Sequence, residues 1–161
     1  MNIRLLALIA LMLMLAGCAA KPQGPETVRQ ALFGLGERAA EQLASASPLP
    51  KPHADLVVLL ATPEVDPALG ITSESLMESL TRALLGLEAG PQVLDWRSAI
   101  AGDAGGNQWR LDSRLTASGP RLTLSDRELL PYRLTLNLRR PGQDASHWQS
   151  HIDGALDASA L

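Results

Sequence analysis

A single α/β (α+β) domain is what this sequence predicts, with a mixed sheet of about four or five strands and helices mainly on one face. The prediction rests on the continuous apolar run Leu56-Val57-Val58-Leu59-Leu60, an amphipathic helix with a readable start at Thr72, and a change to two-residue alternation after Gln108. Strand, helix and strand in that order imply parallel pairing through a crossover, and the alternating segments that follow imply antiparallel strands with one wet face.

The chain opens on residues that do not belong to the domain. After Arg4, Leu5 to Leu15 carry no polar side chain. That run is shorter than the roughly 20 residues a membrane-spanning helix needs, and it has the length of a signal-peptide core. It leads into Leu15-Ala16-Gly17-Cys18, and Cys18 is the one cysteine of the 161 residues. These four residues resemble the lipobox of bacterial lipoproteins. The resemblance implies cleavage before Cys18, and a diacylglyceryl group and an N-acyl lipid carried by that cysteine. Ala19 and Ala20 follow it, and the lack of an aspartate there implies, by the same resemblance, the outer membrane with the domain facing the periplasm. With one cysteine, no internal disulfide can form.

Residues 1–17 are therefore read as a removed signal peptide and 18–25 as a lipidated tether containing two prolines and a glycine. Residues 26–54 follow as an amphipathic helix and a proline-rich linker, and 55–161 as the compact domain. In the helix, Val28, Leu32, Leu35, Ala39 and Leu43 form one apolar stripe, while Gly34 and Gly36 weaken it by about 1 kcal/mol each. Ser45 to Pro52 reads as a linker. Loss of Arg4 takes the formal net charge from −3 to −4, a mildly acidic balance that gives no reason to expect nucleic acid as a partner. Aromatic residues make up 3%, so the core has to be leucine, valine and alanine.

Within the domain, Leu56–Leu60 is the first strand, buried on both faces. A loop from Thr62 to Gly70 follows. Thr72 caps the next helix, with Glu74 in its first turn and Ile71 and Leu76 placed as a hydrophobic staple. Leu76, Leu80, Ala83, Leu84 and Leu87 are its buried stripe, and Gly86 and Gly90-Pro91 end it. Gln92 to Trp96 is the second strand, Trp96 to Ala101 an added helical turn, and Gly102 to Asn107 a loop. Trp109, Leu111, Ser113, Leu115 and Ala117 then alternate with polar residues. Tyr132, Leu134, Leu136 and Leu138 do the same, and the turn Pro141–Asp144 makes 132–153 a hairpin. Leu122–Leu124 is a short strand or an arm.

Catalytic chemistry finds little footing. His147 and His151 are four apart, but on a strand they lie about 13 Å apart, too far for one metal, so no metal is expected. No serine sits in a nucleophile elbow. Glu64 and Asp66, in the loop after the first strand, are the one carboxylate pair placed where open α/β sheets hold ligands, and an envelope hydrolase using them is one alternative. The basic residues carry another reading. Arg110 and Arg114 share one face of a strand, and Arg133 and Arg139 one face of another. They serve either to keep a sheet surface wet or as a docking face for an acidic partner.

The order of a lipobox, a proline-bearing linker, strand–helix–strand and then antiparallel strands resembles the small periplasmic domains of LpoB-type penicillin-binding-protein activators. CsgG-like lipoproteins and the flagellar lipoprotein FlgO share that look. The stretches that carry it are Ser73–Leu84, Val93-Leu94-Asp95, and Tyr132–Leu138 with Trp148 beyond the turn. The likeness covers about residues 55–153. It implies a non-catalytic, outer-membrane-anchored accessory or assembly factor that binds another envelope protein, with no cofactor beyond the lipid on Cys18. A structural subunit of a flagellar or secretion machine is the alternative within the same likeness.

Overall fold

The computed structural model describes residues 24–97 and 105–158. The lipobox, most of the tether, residues 98–101 of the turn expected at Trp96 to Ala101, and residues 159–161 lie outside them. In chain order the elements are α1 (Gly24–Ala44), β1 (Val57–Leu60), β2 (Glu64–Val65), α2 (Ser73–Leu85), β3 (Gln92–Asp95), β4 (Gln108–Ala117), β5 (Leu122–Thr123), β6 (Glu128–Arg139) and β7 (Ser146–Asp157). Two short 3-10 turns, His53–Asp55 and Pro67–Leu69, join them.

Among the described residues all the strands form one sheet of seven, of which β2 and β5 are two-residue pieces. β1 lies between β3 and β4 and is parallel to both, so β1, α2 and β3 make the expected crossover unit. β2 pairs with β4 beyond the end of β1, at Glu64↔Arg114 and Val65↔Leu115. β4, β6 and β7 are antiparallel, with Leu115 opposite Leu134 and Leu134 opposite Ile152. β5 pairs with β6 beyond the end of β4. The mixed α/β fold is thus the one the sequence predicts.

The core lies between one face of the sheet and the two helices. Val58 and Leu60 of β1 meet Trp109, Leu111 and Leu115 of β4, the even-numbered leucines of β6, and Ile152 and Leu156 of β7. Leu76, Leu80 and Leu84 of α2 close it from above. Thr72 caps α2 by accepting from the Ser75 amide at 3.1 Å, and Ile71 and Leu76 on either side of the cap are both buried.

One boundary moves. Leu32, Leu35, Ala39, Ala40 and Leu43 of α1 are all buried in the same core, as are Ala46 and Leu49 of the supposed linker. The packed unit therefore includes α1 and does not begin at Asp55. Burying an apolar helical stripe outweighs the weak helix propensity of its two glycines, because helices in proteins are held chiefly by packing. Gly36 is also the point where α2 comes nearest. A Cβ there would sit 2.5 Å from Ser79 Oγ and 2.7 Å from the Ser79 carbonyl oxygen. The Ser79 hydroxyl donates to the Leu32 carbonyl at 2.6 Å, so the residue that weakens the isolated helix is the one that lets it dock.

Candidate docking face

The second face of the sheet carries neither helix. Side chains reach it from the odd-numbered residues of β6, from those of β7 beyond its initial bulge, and from the even-numbered ones of β4. Arg110, Arg114, Arg133 and Arg139 all stand there, as the alternation predicts, since Arg110 lies opposite Arg139 and Thr116 opposite Arg133. What the alternation did not give is their partners.

Asp112 is central. Its Oδ1 accepts from Arg110 Nε at 2.9 Å, and its Oδ2 lies 2.7 Å from Arg139 Nε. The second contact is an ion pair without the alignment of a hydrogen bond, for neither buried atom has a directed partner. All three side chains are only 21–25% exposed. The Arg110 guanidinium also stacks on Trp96, 4.6 Å from the ring centroid. Beside it Leu59 is fully buried although it faces away from the helices, in register with Leu94 and Arg110.

The other two arginines are held more loosely. Arg114 meets Glu64 at 2.6 Å with both side chains more than 60% exposed. Arg133 grips Asp153 on the neighbouring strand with two hydrogen bonds, 2.8 and 3.0 Å. Those bonds, and after them the guanidinium charge, hold the Asp153 carboxyl below the ordinary carboxylate range, and the Arg133 guanidinium is raised in return. Exposed pairs of this kind contribute about 0–1 kcal/mol, so a carboxylate from outside can replace the internal one at little cost. The face is accordingly a checkerboard of paired charges, with a rigid centre at Asp112 and two exposed pairs beyond it, toward the C-terminal end of β4. It is not a bare cationic surface.

Three further arginines are engaged elsewhere. Arg121 pairs with Glu128 and Arg127 with Asp126. Arg140 lies 3.7 Å from the Trp109 ring centroid and donates to the carbonyls of Gly106 and Gln108.

The two candidate acidic residues have structural duties. Glu64 is the partner of Arg114. Asp66 caps the 3-10 turn by accepting from the Ala68 amide at 2.9 Å, and it also accepts from the Ala117 amide at 3.3 Å. They are not joined in a common cleft. His147 stands edge-on to Trp109 at 5.6 Å, and His151 Nδ1 is 3.1 Å from the Thr135 hydroxyl. Among the described residues no three His, Cys, Asp or Glu side chains converge as a metal set.

On the helix side, a cleft of about 330 Å³ opens between the helices, lined by Arg29, Phe33, Ile71, Thr72, Ser75 and Arg82 among others. Arg82 there is paired with Glu78.

No family model matches this chain, and no curated protein matches it. Among solved structures it is similar to lipoprotein GNA1162 from Neisseria meningitidis, at 13% identity and a TM-score of 0.47, over 65% of this chain and 85% of that one. It is also similar to protein XCC0632 from Xanthomonas campestris, a DUF330 protein, at 10% identity and a TM-score of 0.46, over 68% of this chain and 72% of that one.

Proposed function

We propose that this chain is a non-catalytic lipoprotein of the bacterial outer membrane, anchored by lipid on Cys18, whose periplasmic domain docks on another envelope protein. The anchor is supported by the Leu15-Ala16-Gly17-Cys18 motif at the end of an apolar run, with the sole cysteine at the position that takes the lipid. A further support is that no helix among the described residues is long and apolar enough to cross a membrane. The docking role is carried by one observation: the helix-free sheet face holds two exposed arginine–carboxylate pairs, Arg114–Glu64 and Arg133–Asp153, both toward the C-terminal end of β4 from a fixed centre at Asp112. Guanidinium forks of this kind exchange one carboxylate for another without rebuilding the fold. A role as an activator of peptidoglycan synthesis is the form this takes if the likeness to LpoB-type domains extends to function.

The test is charge reversal at Arg114 and Arg133. Arg139 is unsuitable, because a glutamate there would face Asp112 in a largely buried setting. Arg114→Glu with Arg133→Glu should shift stability by about 0.5 kcal/mol or less per site. Crosslinking in intact envelopes should lose the partner that the unaltered chain captures, and rising salt should weaken the unaltered association too. Full capture by the reversed protein contradicts the docking face. Replacing Asp66 is not a fair test of catalysis, since it removes a cap and a contact to β4.

A further inference from the structure

We infer that β7 is a self-pairing edge: two copies of this chain join β7 to β7, antiparallel, about a two-fold axis at Ile152, and so continue one sheet across both. This goes beyond the docking role and does not depend on the lipid anchor.

The edge is long and unguarded. β7 runs for 12 residues, Ser146 to Asp157, with β6 on one side. Among the described residues no strand pairs with its other side, and the backbone from Gln149 to Leu156 makes no hydrogen bond outside the β6 ladder. Exposed edges of soluble proteins are usually blunted by lysine, proline, a bulge or shortness. β7 has no lysine, arginine or proline, and its one irregularity, opposite Leu138 and Arg139, lies at its first residues.

Its side chains complement themselves. Antiparallel pairing about Ile152 places each residue opposite the one equally far beyond the axis. On the open face His151 then meets the other copy's Asp153, twice by symmetry. Gln149 meets Ala155. On the helix side the half-buried Trp148 meets Leu156, an aromatic–aliphatic pair of the kind that stabilises sheets. Neighbouring registers lose this. Centring on Asp153 sets that carboxylate against itself, and centring on His151 sets Asp153 against Gln149.

The hydrogen-bond chemistry is also in place. In the tautomer where the Thr135 hydroxyl donates to His151 Nδ1, the ring proton stands on Nε2, which can donate to a carboxylate across the axis. Asp153 accepts two bonds from Arg133 and keeps lone pairs for another donor.

The register is tested by directed crosslinking. Gln149→Cys and Ala155→Cys are placed on differently tagged full-length chains, both carrying Cys18→Ser so that no other thiol is present. Both positions are exposed, and the melting temperatures should match that of the parent. Mixed in detergent under mild oxidation, the two should give a disulfide-linked heterodimer at about ten-fold or more the yield of covalent dimer from either variant alone, because pairing raises the effective thiol concentration. Sedimentation of the unsubstituted chain should show a two-chain species. No heterodimer above the single-variant background, or equal yields in all three samples, overturns the pairing. A covalent dimer from Gln149→Cys alone in higher yield than the heterodimer overturns the register.

Discussion

Gly154→Val is expected to destabilise the protein by about 3 kcal/mol, the sum of overpacking and a lost charged hydrogen bond. Gly154 lies opposite Tyr132 across the β6–β7 pair, and the Tyr132 ring lies over it. A Cβ at Gly154 would come within 2.6 Å of Tyr132 Cζ and 3.0 Å of Cε1. The ring has little room to yield, being 2% exposed and bonded through its hydroxyl to Arg38 Nη2 at 2.6 Å. Valine favours strands, so propensity alone predicts the opposite sign. The cause is isolated by repeating the change in a Tyr132→Leu background, where the clash is gone and most of the cost should vanish as a coupling between the two sites. Equilibrium denaturation measures both. An unchanged stability for Gly154→Val would mean the ring is not where it is described.

Leu136→Ala should cost about 2–5 kcal/mol, as for a fully enclosed leucine replaced by a cavity. Thr135→Ala, one residue earlier, should cost about 0.5 kcal/mol or less. Leu136 has no exposure and sits between Ser113 and Ser150 in the sheet register, under the helices. Thr135 faces the other way, with only the His151 ring as side-chain partner among the bonds described. Thermal or denaturant unfolding of the two variants side by side reads the strand phase directly. Small and equal losses would mean that the phase is wrong.

Strand phase is the property the sequence displays most openly, because in β4 and β6 a two-residue alternation has only one way to bury leucine. The β1 run was legible for the same reason: β1 is flanked by strands, and Leu59 is buried even on the open face. Pairings of charge were less accessible. Arg133 and Asp153 are 20 residues apart, and their meeting depends on the register of the hairpin, which the turn constrains but does not display. Arg110 and Asp112 are different. Two residues apart on a strand share a face, so that contact is legible in the sequence. The core reaches back before Asp55, because Pro-rich composition marks irregular backbone, not absence of packing. Ala46 and Leu49 show that such a segment can still lie on the core. Gly36 was read as a weakness in α1, since only the position of Ser79 reveals what the missing side chain permits.

On the proposed reading, Cys18 becomes the first residue and holds the chain on a membrane. Mass spectrometry of the protein purified from native envelopes measures this most directly. The account predicts an amino-terminal peptide that begins at Cys18 and is heavier by a thioether-linked diacylglyceryl group and an N-acyl chain. A mature amino terminus at any other residue, or Cys18 recovered as an unmodified thiol in the processed chain, would contradict it.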